Sequence, residues 1–235
     1  TNIFVASELA RFAAVAEAGL ELPSATGVDD ALGCVYLAEA HPAGRSLARH
    51  LKEEGRLDSR TATRLLSQLA SALAPLHSAG LAHRAITAES IFVAPKGGKL
   101  VAELSRFGDG LLQPIAAAIE LDRDAQLAPE IADGQRGGPA ADVWALAAVL
   151  HQTVEASTDE HLTALLARCL DDAPENRPRD ATAFRQQLAG SGGARTDEGG
   201  LSLDATAESD VGTGRFIAEY EIVSQIGEGG MGAVY

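Results

Sequence analysis

The C-terminal end of the 235-residue chain carries a glycine pattern that is suited to holding phosphate groups. Residues 226–235 read Ile-Gly-Glu-Gly-Gly-Met-Gly-Ala-Val-Tyr, which matches G-x-G-x-x-G-x-V. Glycines let the backbone approach a phosphate closely and point N–H groups at its oxygens. A dinucleotide-binding fold would need a helix directly after this motif, but the following Ala-Val-Tyr favours a strand. A plain glycine turn is another interpretation of the same pattern. The residues expected to contact a nucleotide are Ile226, Gly227, Gly229, Gly232 and Val234.

A second pattern lies in the middle of the chain, where the sequence from His83 reads His-Arg-Ala-Ile-Thr-Ala-Glu-Ser. It resembles the catalytic loop of bacterial-type Ser/Thr protein kinases, His-Arg-Asp-Leu-x-x-x-Asn. The resemblance implies that His83 and Arg84 pack this loop. It also implies that Ala85 replaces the catalytic Asp, Thr87 the Lys, and Ser90 the metal-binding Asn. Because alanine has no proton-accepting side chain, the loop is expected to lack its general base.

The family's Asp-Phe-Gly motif, which supplies a Mg²⁺ ligand, is also altered. The length of the preceding hairpin places Glu103-Leu104-Ser105 at this position, directly after a strand-like run. The alternative register, Arg106-Phe107-Gly108, keeps Phe-Gly but puts an arginine at the metal ligand. We prefer Glu103, whose carboxylate could still hold one Mg²⁺ through oxygen.

Three later segments match the same family in order. They are Ala128-Pro129-Glu130, Asp142-Val143-Trp144 and Arg177-Pro178. The resemblance covers roughly residues 32–188, and it implies that Glu130 and Arg177 form a buried ion pair. Asp142 is expected to be a structural residue as well. Groups that hold the lower lobe together are therefore kept, while groups that perform chemistry are replaced.

The spacing of apolar residues and turn signals predicts the elements that position these groups. Helices are expected at 7–22, 46–54, 58–76, 141–153, 160–170 and 181–189. Two strands are expected within 28–39 around a turn at Asp29-Asp30, and a hairpin is expected from strands 90–94 and 99–103. The predicted fold class is α+β. It is a protein-kinase-like fold made mostly of the helical C-lobe, with an incomplete N-lobe.

Three segments are expected along the chain: a kinase-like domain at 1–189 without strands 1–3, a flexible linker at 190–214, and kinase N-terminal strands with the Gly-rich loop at 215–235. A kinase begins with such a loop, so its position after the lower lobe has two explanations. Either a second kinase domain starts near Arg215 and the chain is cut at Tyr235, or the domain is circularly permuted. We favour the first, because the third strand with its Lys is absent.

Composition excludes several classes of function. The net charge of −14 argues against nucleic acid and against anionic membranes as partners. No apolar run is long enough to span a membrane, and the histidines have no metal-binding spacing. Cys34 and Cys169 are far apart with no CxxC, so we expect reduced core thiols in a cytoplasmic protein.

The functional expectation is a regulatory or scaffolding pseudokinase that binds a protein partner, such as an adjacent active kinase. The alternative is an active Ser/Thr kinase, in the uncut or permuted protein, that uses ATP and Mg²⁺ at the Gly-rich loop. A third alternative is an interaction domain without any role for nucleotide. Residues 106–126 contain no Ser, Thr or Tyr, so they offer no site for activation by phosphorylation.

Overall fold

The computed structural model describes residues 40–106, 127–154 and 159–189, together with Val15 and the strand residues named below. The chain forms two compact units, one of Thr1–Gly27 with Leu37–Gly192 and one of Val28–Tyr36 with Gly193–Tyr235. The helix expected at 7–22 lies outside the described residues except for Val15, which is helical and buried. The expected linker at 190–214 lies outside them entirely.

The elements of the chain follow in order. The first strands and helices are β1 (Ala25–Asp29), β2 (Cys34–Ala38), β3 (Arg45–Ser46), α1 (Leu47–Glu54), α2 (Ser59–Ser78), β4 (Ile91–Lys96) and β5 (Lys99–Leu104). Next come α3 (Pro129–Ala132), α4 (Pro139–Thr153), α5 (Glu160–Cys169), a 3₁₀ turn (Pro174–Asn176) and α6 (Ala181–Ala189). The last strands are β6 (Arg215–Ile217), β7 (Tyr220–Ile222), β8 (Gly227–Gly229) and β9 (Gly232–Val234).

Helix α2 forms the centre of the helical core. Asp58 caps its N-terminus by accepting a hydrogen bond from the Thr61 N–H at 2.9 Å. Its leucines recur every three to four residues and bury one face completely, at Leu65, Leu66, Leu69, Leu73 and Leu76. Helices α4 and α6 pack against this face through Leu146, Leu150 and Phe184. Burying each such side chain contributes about 1.5–3 kcal/mol, so this cluster is the main source of stability.

A three-stranded antiparallel sheet in the order β3-β4-β5 lies beside α2. The free edge of β5 is covered by two α2 side chains. Gln68 accepts a hydrogen bond from the Ala102 N–H at 2.9 Å, and Arg64 Nε donates one to the Leu100 carbonyl at 3.3 Å. These contacts satisfy backbone groups that an edge strand would otherwise expose.

The β4–β5 turn differs from the expected four-residue turn at 95–98. It consists of Gly97 and Gly98 alone, whose φ angles of 58° and 72° suit a tight two-residue hairpin. Strand β4 therefore extends to Lys96, and β5 runs from Lys99 past Glu103 to Leu104. Similarly, Asp29 belongs to β1 and not to a turn.

The C-terminal strands form two separate antiparallel pairs, β6 with β7 and β8 with β9. The strand expected at Tyr220 is present as β7, and the glycine pattern forms the β8–β9 pair. In this second pair Gly227 lies opposite Val234, and Gly229 lies opposite Gly232.

Candidate functional site

The segment from Leu81 to Ser90 connects α2 to β4 and is held by one buried carboxylate from α4. Asp142, 1% exposed, accepts hydrogen bonds from the backbone N–H groups of His83 at 2.6 Å and Arg84 at 2.8 Å. A carboxylate that accepts several N–H bonds replaces the water it loses on burial. Asp142 therefore fixes the path of the loop at the two residues that precede Ala85.

A histidine of α2 completes this anchor. His77 Nε2 lies 3.0 Å from Asp142 Oδ2, and His77 Nδ1 accepts a hydrogen bond from the Ala181 N–H at 3.0 Å. Because Nδ1 acts as an acceptor there, the proton sits on Nε2 and is donated to Asp142. One imidazole thus joins α2, α4 and the start of α6.

The side chains of His83 and Arg84 pack the loop, as expected from the sequence. His83 is fully buried; its Nε2 donates to the Ser105 carbonyl at 2.9 Å, and its Nδ1 accepts from the Ala85 N–H at 3.2 Å. Arg84 adopts a left-handed backbone with φ of 63°, and its Nε donates to the Gly137 carbonyl at 2.8 Å. The loop is thereby tied to the end of β5 and to the turn before α4.

The two other replaced positions of the loop bond to each other. Ser90 Oγ accepts a hydrogen bond from the Thr87 N–H at 2.9 Å and donates one to the Thr87 carbonyl at 3.1 Å. Thr87 Oγ1 accepts from the N–H groups of Glu89 at 3.2 Å and Ser90 at 3.3 Å. Ser90 is completely buried. Its hydroxyl therefore closes a local turn and is turned inward, away from solvent.

Glu103 lies on the face of the β3-β4-β5 sheet that points away from the core. It pairs with Phe92 across β4 and β5 and is exposed, whereas its neighbour Leu104 is buried. The ring of His41 packs edge-on against Phe92 with centroids 5.4 Å apart. Within the described ranges, no group of three or more His, Cys, Asp or Glu side chains is arranged to hold a metal ion.

The alternative register for the metal motif, Arg106-Phe107-Gly108, begins at Arg106, the last residue of the described range 40–106. Ser105 donates its N–H to the Ser90 carbonyl at 2.9 Å, which continues the β4–β5 pairing by one residue. Arg106 follows with a left-handed φ of 64°. Phe107 and Gly108 lie outside the described residues.

Glu130 and Arg177 form the ion pair that the motif resemblance implies. Arg177 Nη1 and Nη2 lie 2.8 and 2.9 Å from the two carboxylate oxygens of Glu130, a bidentate arrangement. The Arg177 side chain is 0% exposed and that of Glu130 is 11% exposed. Burial alone would raise the pKa of Glu130, but hydrogen bonds from Arg177 and its positive charge hold that pKa below its ordinary value.

The remaining expected groups are placed as follows. Gly227, Gly229, Gly232 and Val234 lie in the β8–β9 pair, whereas Ile226 lies outside the described residues. Cys169 is a free, buried thiol, and burial raises its pKa to about 12, so it is unreactive at neutral pH. No helix in the described part of the chain is long and apolar enough to cross a membrane.

Sequence reasoning missed three groups of this site. The sequence indicates only that the histidines, His77 among them, have no metal-binding spacing, and the partners of His77 lie 65 and 104 residues away. The carbonyls of Ser105 and Gly137 are backbone groups, which carry no sequence signal. For His77 the available signal was its position on the apolar face of α2, where a polar side chain needs a buried partner.

Comparisons with known proteins identify the family. The family model described as the protein kinase domain matches residues 31–158, more than half of the chain. The chain therefore belongs to the protein kinase family, and its protein-kinase-like α+β fold follows from this membership.

Similar curated proteins include two bacterial Ser/Thr kinases. The chain is 27% identical over 164 residues to the serine/threonine-protein kinase PkaA of Streptomyces coelicolor, covering 57% of this chain and 30% of PkaA. It is 25% identical over 196 residues to the serine/threonine-protein kinase pkn3 of Myxococcus xanthus, covering 66% of this chain and 36% of pkn3. The chain thus spans only about a third of the length of these relatives.

A solved structure supports the fold. The kinase domain of Mycobacterium tuberculosis PknI superposes with a TM-score of 0.57 at 19% identity, covering 74% of this chain and 72% of that domain. At this level of identity the likeness bears on the fold alone, and the chemistry must be argued from the residues of the site.

Proposed function

We propose that this chain is a regulatory protein-kinase-like domain that does not transfer phosphate itself and acts by binding a protein partner. Residues 215–235 resemble the first strands of a kinase domain. The partner that we favour is therefore such an adjacent kinase. We place this role in the cytoplasm, because the two cysteines are far apart in sequence and Cys169 is a free thiol.

The observation that carries the proposal is that the loop around Ala85 keeps its backbone anchors but has no general base. Asp142, His77 and Arg84 hold its backbone in place, yet Ala85 offers no base at the position the family uses for one. A positioned general base contributes about 10²–10⁴ in rate. The loop therefore keeps a fixed backbone path but lacks its principal reacting group.

The second support is the use of the Ser90 hydroxyl. The Asn expected here by family resemblance presents an oxygen to a metal ion, whereas the Ser90 hydroxyl is buried and bonded to Thr87 on both sides. Presenting it to Mg²⁺ would break both bonds. A loop that completes its own hydrogen bonds needs neither Mg²⁺ nor nucleotide to keep its shape.

Thermal melting of the full chain with and without ATP and Mg²⁺ tests this proposal. A ligand that binds only the folded state raises the melting temperature by mass action. We expect no shift with ATP and Mg²⁺. A concentration-dependent rise that a Gly229→Val variant abolishes would show nucleotide binding at the Gly-rich motif and would favour an active kinase instead.

A Ser90→Ala variant tests the role of the hydroxyl directly. If the hydroxyl serves the turn, its removal leaves the Thr87 N–H without a buried acceptor and destabilises the fold by about 1–3 kcal/mol. Unchanged stability together with weakened Mg²⁺-dependent nucleotide binding would assign Ser90 to a metal site instead.

An active kinase is the second candidate, favoured by the β8–β9 pair of the Gly-rich motif. In that case ATP would lie against the glycine backbone, Glu103 would supply one Mg²⁺ ligand, and the domain would act in the uncut or a permuted protein. Phosphoryl transfer would then depend on both Gly229 and Glu103. The proposed pseudokinase depends on neither.

A further inference from the structure

A network of charged side chains joins β3 to α1. Arg45, the first residue of β3, donates hydrogen bonds to two carboxylates of α1: its Nη1 donates to Glu53, and its Nη2 donates to Glu54 at 2.9 Å. Arg49 Nε also donates to Glu53, at 2.8 Å. Two neighbouring glutamates of α1 thus hold two arginines.

His50 is the third partner of Arg45 in this network. The Nη2 atom of Arg45 carries two N–H groups and lies 3.2 Å from His50 Nδ1, in addition to its bond with Glu54. A guanidinium can only donate, so His50 Nδ1 must be the acceptor. The structure therefore requires a neutral imidazole at His50, with its proton on Nε2.

The surroundings of His50 also favour the neutral ring. Its side chain is half-buried, and this burial, followed by the positive charge of Arg45, holds its pKa below the ordinary value. The negative charges of Glu54 and Glu53 act in the opposite direction and only partly offset these effects.

The segments packed against α1 add no further charge to this balance within the described part of the chain. The Ala48 N–H donates to the Ala88 carbonyl at 3.0 Å, and β4 follows directly. The charged residues of 86–96 are Glu89 and Lys96, and neither is among the groups that shift the pKa of His50. The ring of His41, which packs on β4, is likewise not among them.

Protonation of His50 would break its bond with Arg45. It places an N–H on Nδ1, which then faces an N–H of a guanidinium, so two donors and two positive charges meet. A protonated imidazole instead donates well to carboxylates, and Glu54 lies four residues further along α1, within reach on the same helix. His50 would then compete with Arg45 for Glu54.

This network lies at a corner of the fold that also carries backbone contacts. Arg45 pairs with Val93 of β4, and Ser46 pairs with Phe92. The Ser46 hydroxyl caps α1 by accepting a hydrogen bond from the Arg49 N–H at 3.2 Å. Loss of the contact between Arg45 and His50 therefore acts where β3, β4 and the start of α1 meet.

We propose that His50 is a pH-sensitive latch on the corner of β3 and α1: the neutral ring accepts a hydrogen bond from Arg45 and closes the network, whereas the protonated ring releases Arg45 and binds Glu54. Because the folded pKa is the lower one, the latch stabilises the fold fully above the unfolded value of about 6.5 and is lost as pH falls through the folded pKa. This inference goes beyond the proposed function, since it holds whether or not the chain transfers phosphate.

Nuclear magnetic resonance of the ¹⁵N-labelled histidine rings of the full chain, titrated between about pH 8 and pH 5, tests the latch. A His50→Gln variant identifies the His50 signals among those of the six histidines. We expect a proton on Nε2 at neutral pH and a pKa below the ordinary value. Arg45→Met should raise this pKa and Glu54→Gln should lower it, whereas Arg179→Met, which removes an arginine paired with Asp180, should leave it unchanged.

Two outcomes of the titration would overturn the proposal: a proton on Nδ1 at neutral pH, or a pKa that Arg45→Met fails to raise. Urea unfolding of the parent and of His50→Gln gives an independent test, because glutamine can accept from Arg45 but does not titrate. The parent should lose more stability than His50→Gln between about pH 7 and pH 5. Equal losses in the two proteins would also overturn the proposal.

Discussion

The side chain of Ser90 is hydrogen-bonded to the main chain of Thr87 on both sides, with Oγ 2.9 Å from the Thr87 nitrogen and 3.1 Å from its carbonyl oxygen. Both residues occupy positions where the family resemblance implies groups that handle phosphate or metal. In this chain the two residues form hydrogen bonds with each other. The same loop keeps its anchor to Asp142, so Thr87 and Ser90 at these positions have not loosened its backbone.

Removing one partner of the Glu130–Arg177 ion pair should strongly destabilise the fold. A Glu130→Gln variant leaves a guanidinium that is 0% exposed without its carboxylate, which typically costs about 3–5 kcal/mol. We expect the lower end of this range, because Arg177 still donates to the carbonyls of Asp171 at 2.7 Å and Asp172 at 2.9 Å. Urea unfolding monitored by circular dichroism gives the value.

Two further variants control this measurement. Arg179→Gln removes an exposed arginine two residues away and should change stability by no more than about 0.5 kcal/mol. Glu130→Gln combined with Arg177→Met should cost less than the two single changes added together, since neither charge is then left alone. Full additivity in this double variant would contradict direct coupling between the two residues.

Asp58 should make the stability of α2 depend on pH. Its hydrogen bond from the Thr61 N–H holds its pKa below the ordinary value. Because the folded pKa is the lower one, this stabilisation is present above the unfolded pKa of about 4 and is lost as pH falls through the folded pKa. Asp58→Ala should therefore cost about 0.5–2 kcal/mol at neutral pH and less in acid.

An Asp58→Asn variant distinguishes the cap from the charge. Asparagine caps a helix about as well but does not titrate. Urea unfolding of the three proteins from neutral to acidic pH should show that the Asn variant lacks the part of the acid dependence that comes from Asp58. An Ala variant as stable as the parent at neutral pH would show that the cap contributes little.

Gly44 should not tolerate a side chain. Its φ is 92°, a left-handed value that costs other residues about 1–2 kcal/mol, and an added Cβ would collide with the Val93 carbonyl of β4. Gly44→Ala should therefore cost more than this strain alone, and thermal melting measures it. Gly134→Ala is the matched control, because its φ is 81° but nothing lies within 4 Å. Equal losses in the two variants would mean that β4 moves aside freely.

The sequence predicted the elements whose signals are local. Helix α2 was placed by Asp58 and the leucine spacing, and these are properties of neighbouring residues. The Glu130–Arg177 pair was expected because two ordered motifs of one family contain its members. In each case the determining residues could be read without knowing the tertiary structure.

Other features could not be read because they depend on pairing over distance. The β4–β5 turn was drawn two residues too long, since Pro95 and Lys96 look like turn residues until the strand register is known. Glu103 itself lies inside β5, since the pairing with β4 continues to Leu104. The link from His77 to Asp142 joins residues 65 positions apart, and a single histidine carries no signal for such a partner.

Phosphoryl transfer by the full chain is the most direct test of the central claim. The chain would be incubated with radiolabelled ATP, Mg²⁺ and a generic protein substrate, beside a Glu103→Gln variant purified in the same way. The account predicts only background transfer, identical in both proteins, because Ala85 supplies no base and Ser90 is bonded to Thr87. Transfer well above background that Glu103→Gln abolishes would contradict it, and would make this chain an active kinase.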